Sequence, residues 1–285
     1  MELVQAIVNG LLIGGVYAVI SIGLTLVFGV MSIINFAQAE FLMIGMFVGY
    51  YCWLYLGIDP LLGAGVAFVV AFVLGMLIQR VLIERIIGAP DIAQIFLTVG
   101  LLILLENLAL VLFGSDYKSV RTPYQTSAIA FAGLIISLPY LFAFLVSVVV
   151  GIALWAFLRY TWIGQAMRAT AQNGIAALSL GIDVRRVRQL AFGLGVGLTA
   201  LGGSVILPYY TASPTAGGQF VVLMFTVVVL GGLGSVLGAV FGGLAVGVIQ
   251  SISALLMPIQ LQNLALFVVF IAVLAVRPQG LLSTR

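Results

Sequence analysis

Hydrophobic residues fill this chain in long blocks at residues 3–30, 33–56, 61–80, 95–113, 138–158 and 189–210. A glycine-broken block at 220–252 and a last one at 260–276 follow. Blocks of about twenty apolar residues suit helices that cross a hydrocarbon core about 30 Å thick, since a helix rises about 1.5 Å per residue. The alternating segments of about ten residues that mark a membrane barrel are absent. The pattern predicts an all-α, polytopic helical membrane protein with about eight transmembrane segments, some broken or re-entrant. No polar block is long enough to fold alone, so residues 1–285 read as a single transmembrane domain.

The one long polar interruption lies at residues 159–189, where five of the ten arginines fall. It reads as folded rather than loose, because Met167, Ala171, Ile175 and Leu178 follow a helical stripe. Asn173 suits the N-cap of a second short helix, Gly181 its end, and Asp183 the cap of the helix that returns to the membrane. If this element is cytoplasmic, alternation puts residues 80–94 on the same side and 114–137 outside. Arg80, Arg85, Arg159, Arg168, Arg185, Arg186, Arg188, Arg277 and Arg285 then fall inside, against Lys118 and Arg121 outside, which fixes the orientation by the positive-inside tendency. By the same counting the N-terminus is external only if the break at residues 35–40 between the first two helices faces the cytoplasm, and the block at 220–252 must enter and return. It does so either as two tight crossings or as a re-entrant hairpin hinged at Gly231, Gly232, Gly234 and Ser235.

Composition narrows the class. Charged residues make up 7 % of the chain and mean hydropathy is +1.31, whereas a soluble domain carries about 25 % charged residues. The net charge of +3 forms no patch, since the arginines follow the topology, and this argues against nucleic acid as a partner. Cys52 stands alone, so no internal disulfide forms, and histidine is absent. The start Met1-Glu2 has no basic region and the first apolar block exceeds a signal-peptide core, so that segment is expected to be retained. Glycines recur four apart, as in Gly10/Gly14, Gly193/Gly197, Gly234/Gly238/Gly242 and Gly243/Gly247. Such spacing lets helix backbones approach, whether within one bundle, around a cavity or at a subunit interface.

The sequence carries no phosphate-binding loop, no metal-ligand cluster and no histidine base, which argues against an enzyme and against a bound metal or cofactor. The informative polar groups stand where burial is costly. Asn35, Gln38 and Glu40 open the second block, and Glu106 with Asn107 interrupts the fourth. An ionised carboxylate at the bilayer centre costs roughly 2.5–3.5 kcal/mol on insertion scales, so these groups face protein or water. With Gly231, Gly232, Gly234 and Ser235, where a broken helix exposes backbone groups to a carboxylate or zwitterion, they form the candidate substrate passage. Plainer roles compete. Glu40 could be solvated near the cytoplasmic interface, Glu106 could reach outward, Asn35 and Gln38 could bond freed backbone, and the glycines could make a tight turn.

Four ordered stretches, spread along the whole chain, carry a family resemblance. They are GLLIGGVYAVISIGLTLVFGVMSIINFAQAEFLMIG at residues 10–45, MRATAQNGIAALSLGID at 167–183, VVVLGGLGSVLGAVFGGLAVG at 227–247, and the terminal Val276-Arg277-Pro278-Gln279-Gly280-Leu281. With them the chain resembles the shorter of the two permease subunits of ATP-binding cassette importers for branched-chain amino acids, and permeases for urea and short amides look much alike. The resemblance implies a homologous second permease subunit, two cytoplasmic ATP-binding subunits that hold ATP and Mg, and an extracytoplasmic solute-binding protein. It implies no catalytic residue in this chain and a place in the bacterial cytoplasmic (inner) membrane. It also implies that residues 159–189 dock on the ATPase through Arg168, Ala169, Ala171, Gly174, Ala176, Ala177, Leu178 and Gly181, so that tryptophan at Ala177 would uncouple transport. One departure stands out: family members usually read Asn-Phe-Ala-His-Gly where this chain has Asn35-Phe36-Ala37-Gln38-Ala39. A role that needs a histidine proton is therefore excluded, and the solute is read as small and polar or zwitterionic, a branched-chain amino acid first, with other amino acids, urea and amides open beside it.

Two other classes compete with the importer. A stand-alone proton-coupled secondary transporter would use Glu40 or Glu106, and would work without ATP. A membrane lipid-modifying enzyme would need acidic residues or histidine clustered in one water-facing loop, which the sequence lacks.

Overall fold

The computed structural model describes residues 1–131, 133–258, 261–276 and Gly280. Four helices precede the external segment: α1 (Glu2–Met31), α2 (Gln38–Leu56), α3 (Pro60–Val81) and α4 (Asp91–Phe113). After it come α5 (Leu138–Tyr160), two short helices α6 (Trp162–Gln172) and α7 (Gly174–Ser179), and α8 (Val184–Ile206). The chain closes with α9 (Ala216–Gly231), α10 (Val236–Leu256) and α11 (Gln262–Val276). Seven of these helices are long and apolar enough to cross a membrane, and α9 and α11 are shorter apolar helices. The fold is thus all-α and polytopic, with one more apolar helix than the predicted eight because the block at 220–252 divides. Gln260 as the start of the last helix, and Arg277, Pro278, Gln279, Leu281 and Arg285, lie outside the described residues.

Local chemistry sets the ends. Asp59 accepts from the Leu61 N–H at 2.9 Å and Pro60 occupies the first turn of α3, so the helix begins where its free donors are answered. Gly57, at φ 66°, ends α2. Ser32 ends α1 at φ 56°, a left-handed conformation held by no other non-glycine residue among those described. Outside the membrane, strands β1 (Ala128–Phe131) and β2 (Leu134–Ser137) form an antiparallel hairpin, an element the apolar pattern did not foreshadow. Tyr124 donates to Asp59 at 2.8 Å and ties that segment to the start of α3.

Helices α1 and α8 are the most enclosed, while α4 and α5 present most of their surface outward. Glycine explains the close packing of α1 on α10. A Cβ on Gly14 would come within 2.7 Å of the Gly243 carbonyl oxygen, and one on Gly10 within 2.6 Å of Val248 Cα. The four-residue spacings at Gly10/Gly14 and Gly243/Gly247 therefore face one another, and within this chain their work is helix packing. Gly23 of α1 likewise lies against Gly195 of α8. The hairpin of α9 and α10 turns beside Gly29, close to the C-terminal end of α1. Its first arm, 16 residues long, spans about 24 Å at 1.5 Å per residue.

Candidate functional site

The second apolar block does not begin as a helix at residue 33. Residues 32–37 run back into the bundle without regular structure, and α2 starts only at Gln38. Polar side chains hold this break. Asn35 Nδ2 donates to Gln38 Oε1 at 2.9 Å, and Gln38 Nε2 donates to the Gly195 carbonyl at 3.1 Å and to Thr199 Oγ1 at 2.8 Å. The Thr199 hydroxyl in turn lies 3.1 Å from the carbonyls of Ile20 and Gly195. Asn35, Gln38 and Thr199 are all buried. Thr199 stands in the second half of α8, so the N-terminus of α2 opens deep inside the protein.

Glu40 sits in the first turn of that helix, where the free backbone N–H groups favour an anion. It is 1 % exposed and neither carboxylate oxygen has a hydrogen-bond partner; Asn35 Oδ1 is unpartnered too. The carboxylate lies directly on Gly217 at the start of α9, where any side chain would collide with it. A solvated place for Glu40 at the cytoplasmic interface is therefore excluded. Glu106 on α4 is half-buried. Asn107 departs from the expected passage: it is exposed and donates at 2.8 Å to the Ile103 carbonyl of its own helix. One residue further along a helix turns the side chain through about 100°, which carries it off the inward face.

The glycine hinge is a tight turn between α9 and α10, beside the C-terminal end of α1. Helix α9 stops at Gly231, Gly232 and Gly234 take φ of 100° and 85°, and Ser235 caps α10 by accepting from the Gly238 N–H at 3.0 Å. Gly29, beside Gly234, lies six residues along α1 from Gly23, beside Gln38; that is about 9 Å of helix. Gly231, Gly232, Gly234 and Ser235 thus stand apart from the cluster of Asn35, Gln38 and Glu40. The positive φ at two glycines and the contact of Gly231 with Gly238 account for the sequence there.

At the cytoplasmic face the caps fall as the sequence predicts. Asn173 Oδ1 accepts from the N–H groups of Ile175 and Ala176, both at 3.0 Å, Gly181 takes φ of 80°, and Asp183 accepts from the Arg186 N–H at 3.1 Å. The continuous stripe does not hold. Asn173 breaks the helix, so Met167 is buried under α6 while Ile175 and Leu178 face outward. Ile175 is 80 % exposed, Leu178 58 % and Leu180 79 %, an apolar face on the arginine-rich side. Arg168, Ala176 and Gly181 are exposed, and Ala169, Ala171 and Gly174 are half-buried. Ala177 is 2 % exposed, so its side chain supports α7 from beneath and cannot touch a partner. Tryptophan there would dislodge α7 rather than block a docked surface. Helix α8 starts at Val184, five residues before the apolar block, because Asp183 caps it. Arg185 on its first turn pairs with Glu84 at 3.7 Å, and Glu84 also accepts from Gln79 at 2.6 Å.

Thr199, Gly195 and Gly217 escaped the sequence reading. Thr199 is the lone hydroxyl in the run Gly193–Gly203 of α8, and that isolation was the available signal.

The chain matches, over residues 6–274, the family described as branched-chain amino acid transport system / permease component. It belongs to that family. The high-affinity branched-chain amino acid transport system permease protein LivH of Escherichia coli K12 is 31 % identical over 98 % of this chain and 95 % of its own length. BraD of Pseudomonas aeruginosa, described in the same terms, is 30 % identical over 98 % of this chain and 95 % of its own. The probable branched-chain amino acid transport permease protein LivH of Methanocaldococcus jannaschii is 27 % identical over 82 % of this chain and 75 % of its own. This family member is a multi-pass inner-membrane protein and a permease subunit of an ATP-binding cassette importer.

Proposed function

We propose that this permease carries branched-chain amino acids into the cytoplasm beside a homologous second permease subunit. Two cytoplasmic subunits would bind ATP and Mg and hydrolyse the nucleotide, and an extracytoplasmic solute-binding protein would deliver the solute. No cofactor is assigned to this chain. The observation that carries the reading is the exposed apolar face of α7. Large apolar side chains that stand out from a charged cytoplasmic surface call for a protein partner, and α7 is short enough to enter a cleft on one. Alternating access would follow when the ATPases close, press on α6 and α7, and rock the bundle through α5 and α8. The passage group is Asn35, Gln38, Glu40 and Glu106. A solute ammonium group would match the unpartnered Glu40 carboxylate, and the N-terminus of α2 would favour the solute carboxylate.

The test is purification of the tagged chain with whatever it holds, followed by a solute screen. Co-purification of an ATPase stimulated by a binding protein loaded with leucine, isoleucine or valine supports the proposal. An ATPase stimulated only by urea or amides would move the solute assignment and leave the class intact. The buried Glu40 also suits a proton-coupled carrier, and uptake by the chain alone under a proton gradient would favour that reading.

A further inference from the structure

One cavity lies away from the buried cluster of Asn35, Gln38 and Glu40. It is a groove of about 870 Å³ at the cytoplasmic end of α1, walled by α5 on one side and α10 on the other and closed below by α6. Its walls are apolar along Val148, Ile152, Leu237 and Val240, and all the charge on its lining comes from two arginines, Arg159 and Arg168. Neither pairs with a carboxylate among the described residues. The Arg168 guanidinium lies 3.5 Å from the main-chain carbonyl of Arg159, so both residues stand at one end of the groove. Two further features favour an anion there. The 21-residue helix α10 begins at the groove with Gly234, Ser235 and Val236, bringing the positive end of its dipole. Thr25 on the groove floor is wholly buried with a hydroxyl that has no hydrogen-bond partner.

The depth of the groove identifies what fills it. Arg159 lies over the rings of Trp155 and Tyr160, at 5.2 and 5.7 Å from their centroids. Tryptophan and tyrosine collect at the level of lipid headgroups, and the arginine count places this end at the cytoplasmic leaflet. A ligand here meets cations at the headgroup level and hydrocarbon above them. Inorganic phosphate would satisfy only the first, and a free fatty chain only the second. We propose that the groove between α5 and α10 binds one anionic phospholipid, its phosphate between Arg159 and Arg168 and its acyl chains along Val148, Ile152, Leu237 and Val240. Basic pockets between membrane helices on the cytoplasmic side hold anionic headgroups by this combination.

The test uses the full chain in its complex, reconstituted in nanodiscs with a trace of phosphatidylglycerol or phosphatidylcholine bearing a photoreactive acyl chain, with crosslinked peptides read by mass spectrometry. Two cations, each favouring an anionic headgroup by roughly fivefold, predict phosphatidylglycerol labelling of α5 and α10 about twenty-five-fold above phosphatidylcholine. The excess should vanish in Arg159→Gln/Arg168→Gln, while labelling of the outward side of α4 around Val111, which is 82 % exposed, stays unchanged and reports intact insertion. Equal labelling by the two lipids overturns the proposal, as does an excess that survives the double substitution. Absence of lipid labelling in the groove overturns it too, and would assign the surface to another protein chain.

Discussion

Gln38→Leu removes the side chain that closes the break before α2. Leucine fills similar volume but cannot accept from Asn35 or donate to the Gly195 carbonyl and Thr199, so three buried hydrogen bonds are lost. The Gly195 carbonyl keeps the Thr199 hydroxyl at 3.1 Å, and Thr199 keeps its donation, so only the Asn35 amide is left without a partner. At about 1 kcal/mol net for each bond, plus about 1 kcal/mol for the orphaned amide, the variant loses roughly 4 kcal/mol. For a chain of this size that lowers the unfolding midpoint by about 8–16 °C, at about 2–4 °C per kcal/mol. Heating the detergent-solubilised complex and following the soluble fraction measures it. Gln38→His, which keeps one donor and one acceptor, should fall between parent and Leu variant. A Leu variant within about 2 °C of the parent would refute the idea that this network holds the break.

Gly217→Val should abolish uptake with little loss of expression, because the added side chain collides with the Glu40 carboxylate; vesicle uptake and membrane abundance measured together check it. Ala177→Trp should lower the yield of folded protein, since Ala177 is 2 % exposed, and a protease-protection assay of residues 159–189 reads the loosened loop. Burial, followed by the Asp59 carboxylate that accepts its hydrogen bond, pushes the Tyr124 phenol above its ordinary value near 10. A raised folded value means its stabilisation is complete below the unfolded pKa and fades only as pH rises through the folded one. Tyr124→Phe should therefore cost about 1 kcal/mol at every pH from 6 to 9, with no inflection in the midpoint-against-pH curve over that range.

The all-α class and the helix caps were legible because each rests on local chemistry. Asn173, Gly181 and Asp183 act where their side chains or backbone freedom predict. The paired four-residue glycine spacings also announced a close helix contact, though not that Gly10 and Gly14 would meet Gly243 and Gly247. What the sequence could not show depends on partners far along the chain. Gln38 finds Thr199 some 160 residues away, and Gly217 is needed only because Glu40 arrives from α2. Asn107 looked equivalent to Glu106, yet one step of helical rotation separates an inward group from an outward one. The stripe from Met167 to Leu178 ignored the break that Asn173, read as a cap, already implied.

The proposal that an ATPase drives this permease through α7 is tested by uptake of labelled leucine in the reconstituted complex. Ile175→Glu/Leu178→Glu puts charge on two side chains that are 80 % and 58 % exposed, so the fold should tolerate it. The parent complex should accumulate leucine only with ATP on the ATPase side. The variant should insert normally, retain the binding-protein interaction and lose at least about tenfold in uptake, the equivalent of roughly 1.4 kcal/mol of coupling. Uptake by the variant at the parent rate, or by either in the absence of ATP, would contradict it.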